Sequence, residues 1–423
     1  MTYWDESVRS LLRPLKYCCR VNPAVLPETT DPDWEFDYID IGSVSLSEGI
    51  THKERMRFAT SPGRARKPVR EGDIIVSTVR TYLKAIATIE ASDIPQVVST
   101  GFAVLRVNEG TNARFLYRVV QSDPFVEQVV SLSVGVSYPA INPSTLSNIK
   151  VPLPDLATQR RIADFLDRKT ATIDELIKKK RRLVEVLGEK RSALITAAVT
   201  GRLDPASGRI RASAEEDGVR VQLRRVVSVG SRKSPFSDDL RPYVGLEHIT
   251  SWTGEITDSN DARPESLVAH FEKGDVLFSK LRPYLAKVAA PGFRGACSTE
   301  ALVIKPGNRV RTRFLRYSLS APDFINRVDA ATYGVKMPRA NWESIGKEAI
   351  WVPDLDTQGR IADFLDRKTA TIDELIEKTD ASVDLWKEYR AALITAAVTG
   401  QIDVTTWKGH TDPRPGAIGE APE

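Results

Sequence analysis

The sequence predicts an α+β protein with a pseudo-twofold internal repeat: two mixed α/β heads separated by two long helices that pair as an antiparallel coiled coil. Three observations predict it. RIADFLDRKTATIDELI at residues 161–177 returns letter for letter at residues 360–376, and ALITAAVTG at residues 193–201 returns at 392–400. Both copies keep one offset (360 − 161 = 199 and 392 − 193 = 199), so nothing is inserted or deleted between the identical blocks. A long internal repeat governs how every other motif is read. The second observation is that the repeated run has a helical heptad period. The third is that the segments preceding the two runs match only as a skeleton.

Residues 1–155 read as a mixed domain. Strand-like runs fall at 37–41, 72–79, 85–89 and 102–107, and a helix at 113–132 is interrupted at Pro124. The region closes in VGVSYPAINPSTLSNIKVPLPDL, read as a turn, a short helix and a last strand. Residues 156–203 form the first spacer helix, bounded by Pro154 and by Gly201, a natural C-terminal stop. Its seam places Leu166, Ile173, Lys180, Leu187 and Leu194 at one heptad position and Leu176 and Leu183 at the other. From Thr158 to Thr200 an unbroken helix would reach roughly 60 Å. Residues 204–217 are small, polar and charged, and read as a linker.

Residues 218–354 repeat the first head loosely. GDIIVSTVRTYLKA at 72–85 matches GDVLFSKLRPYLAK at 274–287, DYIDIG at 37–42 resembles PYVGLE at 242–247, and VGVSYPAIN at 134–142 aligns with YGVKMPRAN at 333–341. Residues 355–402 are the second spacer helix, with Leu365, Ile372, Leu375, Trp386, Tyr389 and Leu393 on its seam. Its first turn reads TQGR where copy one reads TQRR; Gly359 costs about 1 kcal/mol of helix propensity, which predicts a late start. An antiparallel register sets Leu176 beside Trp386, Leu187 beside Leu375, Ile173 beside Tyr389, and Lys180 near Ser382. The tail, 403–423, is rich in Gly, Pro and Thr and reads as disordered.

Composition narrows the class. Hydrophobic content of 41% and charged content of 27% are those of a globular protein. A net charge of +4 permits a polyanion partner without requiring one. Three cysteines, Cys18, Cys19 and Cys297, give no disulfide framework and imply reduced thiols in the cytoplasm. There is no run of membrane-span or signal-peptide character.

A duplicated chain whose helices are held and whose heads differ suggests one scaffold presenting two recognition surfaces. The chain resembles the specificity subunits of Type I restriction–modification systems over nearly its whole length. The resemblance is carried by TQRRIADFLDRKTATIDELI and ALITAAVTG in two copies, by VPLPDLATQ and WVPDLDTQ before them, and by the GD…SxxRxYL and GVxxPxxN stretches of both heads. It implies a non-catalytic subunit whose heads are target recognition domains, each reading one half of a split sequence in double-stranded DNA. The helices would pair antiparallel, fix the gap, and dock two methyltransferase (modification) subunits, with restriction or translocase subunits as further partners. Methyl donor and ATP would be handled by those partners, leaving this chain without a cofactor.

DNA binding needs Arg and Lys on presented loops for phosphates, and Arg, Lys, Asn or Gln aimed at base edges. The candidates are Arg64, Arg66, Lys67 and Arg70; Arg232 and Lys233; Arg80 and Arg282 at matched positions past a strand; and Ser137 and Tyr138 against Lys336 and Arg339 in equivalent loops. The run Lys178–Arg182 wraps around its helix, so it forms no single face. Enzyme readings fare poorly. Asp155 with Asp167 and Lys169, repeated at Asp354, Asp366 and Lys368, fits a nuclease-like spacing, but both lysines fall on the expected seam. There is no GxxxxGK[ST], no Asn-Pro-Pro-aromatic motif, and the four histidines are scattered without metal-ligand spacing. The rival class is a coiled-coil scaffold or adaptor without direct DNA reading.

Overall fold

The computed structural model describes all residues except 1–3, 5, 47, 211–217, 258–263, 265, 335 and 408–423. The chain divides into two compact units, residues 1–181 with 379–423, and residues 182–378. Each unit holds one head and parts of both long helices.

In the first unit, two four-stranded sheets and two two-stranded ones make the head. Cys19–Val21, Phe102–Val107, Ile74–Ser77 and Ile86–Thr88 form one wholly antiparallel sheet. Glu54–Arg57, Glu35–Ile39, Gln96–Ser99 and Ala65–Val69 form the other, with Gln96–Ser99 parallel to Glu35–Ile39. The expected 113–132 helix is two helices, α1 (Ala113–Gln121) and α2 (Asp123–Ser131); Pro124 sits in the opening turn of the second, where its missing N–H costs nothing. Asn142 caps α3 (Pro143–Asn148) by accepting from the Thr145 N–H at 2.8 Å.

The first long helix, α4, runs unbroken over Leu156–Val199. Asp155 caps it, accepting from the Thr158 N–H at 3.0 Å and the Thr158 hydroxyl at 2.7 Å. Gln159, fully buried, ties it to the head: its Oε1 accepts from the Asn112 N–H at 2.8 Å and its Nε2 donates to the Gly110 and Pro154 carbonyls. Arg114 pairs with Asp164 and Asp167, and the buried Arg118 donates to Asp167 and Thr170.

The second unit repeats this plan. Val227–Val229, Ala301–Pro306, Val276–Ser279 and Val288–Ala289 form one sheet, and Lys233–Ser234, Val268–Phe271, Gly295–Ser298 and Tyr243–Val244 the other. Helices α5 (Thr312–Ser320), α6 (Pro322–Ala330) and α7 (Trp342–Ile345) follow. The second long helix, α8, spans Leu355–Val398. It does not start late. Asp354 caps it, accepting from the Thr357 N–H at 2.9 Å, and the Arg311 Nε donates to the Leu355 carbonyl at 2.7 Å beside Gly359. Gly201 and Gly400, both at φ +77, stop the two helices in the left-handed region.

The buried stripe departs from the expected seam. Ile162, Leu166, Thr170, Ile173 and Ile177 are buried, stepping by 4, 4, 3 and 4 residues. That stripe advances faster than a heptad repeat, because each helix packs on its own head as well as on helical neighbours. Leu166, Ile173, Leu365, Ile372, Tyr389 and Leu393 are buried as expected, and Leu176, Lys180, Leu187, Leu194 and Trp386 are half-buried. Leu183 and Leu375 are 48% and 47% exposed, so neither is a buried seam residue and the expected Leu187–Leu375 layer does not form a core. Val383 and Ile177, off the expected seam, are buried instead.

Other expectations change too. Lys169 lies over the Trp407 ring at 5.2 Å, and Phe165 meets that ring edge-on at 5.3 Å, so the first part of the expected disordered tail is packed on α4. Residues 408–423 lie outside the described residues, as do 211–217 of the expected linker. Residues 204–210 form a hydrogen-bonded turn, with the Asp204 N–H donating to the Arg209 carbonyl at 2.9 Å.

Candidate nucleic-acid interface

Two stretches singled out in the sequence meet in each head. In the first, the strand Ile74–Ser77 runs into a short turn, Thr81–Leu83, flanked by Arg80 and Lys84 at φ 50 and 51. Left-handed backbone at two non-glycine residues is costly and persists where surroundings impose it. The surroundings are the 134–140 loop: the Arg80 N–H donates to the Pro139 carbonyl at 2.8 Å, the Ile141 N–H to the Thr78 carbonyl at 2.9 Å, and the Thr81 and Ser133 hydroxyls are 2.8 Å apart. Gly135 at φ +114 turns the loop. The Arg80 guanidinium lies 4.6 Å over the Tyr138 ring. Thus Arg80, Ser137 and Tyr138 share one surface, with Val134, Val136 and Tyr82 exposed beside them.

The second head repeats the arrangement with other side chains. Arg282 and Ala286 take the left-handed positions at φ 49 and 46, and the Arg282 N–H donates to the Pro338 carbonyl at 2.8 Å. The Arg282 Nε is buried without a hydrogen-bond partner. Lys336 is exposed, with Tyr333 and Met337 exposed near it. Arg339 donates from Nη2 to Glu300 at 2.7 Å.

The remaining candidates divide. Arg64 is exposed and pairs with Asp40 at 3.0 Å. Its carbonyl accepts from the Thr100 N–H at 2.7 Å, next to Gly101, whose own carbonyl accepts from Thr78; this joins Arg64 to the loop surface. Arg66 lies over the Phe58 ring at 4.7 Å, and Arg70 is exposed. Lys67 is a correction. It is buried, and its ammonium donates to the Thr100 and Phe102 carbonyls at 3.1 and 2.5 Å. Alternation along Ala65–Val69 turns it inward, so it closes a sheet edge instead of meeting phosphate. Arg232 and Lys233 are exposed at the second head's sheet edge.

The family model described as the Type I restriction modification DNA specificity domain matches residues 62–186 and 220–384, more than half of the sequence. It belongs to that family. Among relatives, it is 21% identical over 325 residues to the Type I restriction enzyme EcoDI specificity subunit of Escherichia coli, covering 70% of this chain and 71% of that one. It is 26% identical over 206 residues to the HindI specificity subunit of Haemophilus influenzae, covering 48% and 43%. A solved chain from work on complex assembly and conformational transition of the type I R-M system shares the fold, with TM-score 0.68 and 24% identity over 92% of this chain and 98% of that one. The first match takes in the later part of head one with part of α4, and the second takes in head two with part of α8.

Lys280 and Glu300 were not legible as site residues in the sequence. Lys280 stands opposite Thr78 in the matched stretches 72–85 and 274–287, where the change of side chain was a signal; Glu300 lies outside every matched stretch. Asp155 and Asp354 are helix caps and Asp167 and Asp366 are ion-paired to arginines, so the nuclease-like spacing is structural. Among the described residues no three His, Cys, Asp or Glu side chains group as metal ligands. The thiols are buried, and burial pushes Cys18 up to about 11 and Cys297 to about 12, far from thiolate reactivity. No described helix is long and apolar enough to cross a membrane.

Proposed function

We propose that this chain is the DNA-reading subunit of a Type I restriction–modification complex in the cytoplasm, each head reading one half of a bipartite target in double-stranded DNA. One observation carries the reading: the same two loops meet on the same backbone frame in both heads, yet present different side chains. A scaffold without DNA contact would need no such paired difference. The exposed Arg64, Arg80, Arg232 and Lys336 suit phosphates, and the exposed tyrosines suit sugar and base edges.

The long helices are the spacer in this proposal, paired antiparallel. Two ion pairs support it: Asp174–Arg390 at 2.9 Å and Arg191–Asp373 at 2.8 Å. They are counterparts under the repeat offset (390 − 191 = 199 and 373 − 174 = 199), and position falls along one helix as it rises along the other. Ile173 and Tyr389 share one core, as do Ile177 and Val383. Modification subunits, two by the repeat, would dock on this spacer and supply methyl donor chemistry, with ATP-driven subunits as further partners; the chain itself would carry neither cofactor nor catalysis.

The test is methylation mapping in a host carrying the chain and its methyltransferase partner. A split, asymmetric motif should appear only when the chain is present. Exchanging residues 218–354 for another such head should change one half of the motif and leave the other half and the gap intact. Inserting four residues after Leu187 should lengthen or abolish the recognised gap while the bases of each half persist. Simultaneous change of both halves on head exchange would refute the modular reading.

A further inference from the structure

Where head one has three neutral residues, head two gathers three charges on the same backbone. Thr78 stands opposite Lys280, Gly101 opposite Glu300 (300 − 101 = 199) and Ala140 opposite Arg339 (339 − 140 = 199). The frame is shared. The Thr78 N–H donates to the Gly101 carbonyl at 2.8 Å and the Lys280 N–H to the Glu300 carbonyl at 2.9 Å. The Ile141 N–H donates to Thr78 and the Ala340 N–H to Lys280, both at 2.9 Å. Ala140 bridges Val79 and Val134; Arg339 bridges Leu281 and Tyr333. Since Thr, Gly and Ala hold this frame, the charges are not needed to hold it.

On that frame Arg339 Nη2 donates to Glu300 Oε1 at 2.7 Å, while Glu300 Oε2 is buried and accepts no hydrogen bond. Lys280 is half-buried beside them; burial lowers its ammonium, Glu300 pulls it back up, and Arg339 and Lys233 add to the lowering. Three cations against one carboxylate leave a surplus of positive charge.

We infer that Arg339 and Lys280, with Glu300 as positioning residue, set base identity in the half-site read by residues 218–354, taking a guanine by its O6 and N7. The guanine edge in the major groove offers these two adjacent acceptors, and guanidinium and ammonium offer only donors. A carboxylate that fixes one guanidinium nitrogen orients the remaining donors. The same carboxylate disfavours a phosphate, which it repels, but not a neutral base edge. Head one has no charge at the three matched positions, so its half-site should lack the equivalent guanine contact.

The inference rests on the DNA-reading proposal and is tested in the full chain with its methyltransferase partner. Binding and methylation are measured on duplexes carrying the mapped motif and on each single base-pair change in the half assigned to residues 218–354. Lys280→Thr and Arg339→Ala, which install the residues of head one, should lower discrimination at one G·C pair on the order of 5- to 150-fold. The other pairs, the other half and the gap should keep theirs. Glu300→Gln should lose part of the discrimination at the same pair, and Arg339→Lys should retain more than Arg339→Ala. Uniform weakening on all duplexes, unchanged discrimination, or loss at every pair of that half would overturn the inference, the first marking phosphate contact and the last a fold role. A parent chain that confers no split motif fails the DNA-reading proposal; a parent split motif with unmoved variants fails this inference alone.

Discussion

The root of each long helix and the loop tip of each head treat the duplication in opposite ways. At the roots, Gln159 and Gln358 make the same three hydrogen bonds: each accepts one N–H, from Asn112 or Arg311, and donates to two carbonyls. Arg114 and Arg313 each bridge two aspartates one helical turn apart. At the tips, matched backbone carries Thr78, Gly101 and Ala140 in one head and Lys280, Glu300 and Arg339 in the other. A buried polar side chain leaves several groups unsatisfied when it changes, so roots tolerate little variation. A loop tip satisfied by its own backbone leaves its side chains free to vary.

The strongest way to break this comparison is at the roots. Gln159→Leu and Gln358→Leu should each destabilise their own unit by about 3 kcal/mol, because three groups at a buried site lose their partner. Calorimetry should show similar losses for the two; a silent change at one would mean the roots are not equivalent. A smaller effect separates them one turn further along. Arg118 and Tyr317 occupy matched positions and both reach the aspartate and threonine of the helix. Arg118→Ala should cost about 2 kcal/mol and Tyr317→Phe about 1 kcal/mol, read as shifts in urea midpoint.

Smaller still is the glycine that distinguishes the second helix. A Cβ on Gly359 would meet only the Arg311 guanidinium, at 3.7 Å. Gly359→Ala should therefore stabilise by roughly 0.5–1 kcal/mol, and a loss instead would show that Arg311 needs the space. The least effect belongs to the caps. The Thr158 and Thr357 hydroxyls, then their N–H groups, hold Asp155 and Asp354 below the usual carboxylate range. A depressed folded-state value contributes stability above the unfolded value, about pH 4, that is lost as pH falls through the folded one. Asp155→Asn and Asp354→Asn chains should lose less on acidification below that point, by thermal melts across the range.

The helices were legible because an exact repeat reveals both copies, and Pro154, Pro353, Gly201 and Gly400 mark where each stops. The seam was legible only in part. A heptad assumes one partner, whereas Thr170 is buried with its hydroxyl accepting from Arg118 of a head whose contribution no local pattern reveals. Lys67 was misread because cations in a row suggest a surface, and its carbonyl partners Thr100 and Phe102 lie more than thirty residues away. Arg80 with Tyr138, and Arg282 near Arg339, were placed in matched motifs; that the motifs touch followed from the fold. Glu300 escaped because a lone carboxylate means little until Arg339 and Lys280 are seen beside it.

The division of the chain also fixes an order of events during synthesis. The second unit is one continuous segment, residues 182–378, while the first is made of two segments that flank it. Ile162, Leu166, Ile173 and Ile177 leave the ribosome well before Val383, Tyr389 and Leu393, with which they form one core. At about 5–20 residues per second, nearly 200 intervening residues take on the order of 10–40 s. For that interval the inner side of α4 has no completed core, although head one's sheets are already translated. The intervening unit can close on itself first, and closing the flanking pieces around a compact insert leaves less chain to order than closing a loose loop of that length. The head made first is thus the one finished last, and a nascent chain stalled between residues 181 and 379 would show an apolar helix face to chaperones and proteases.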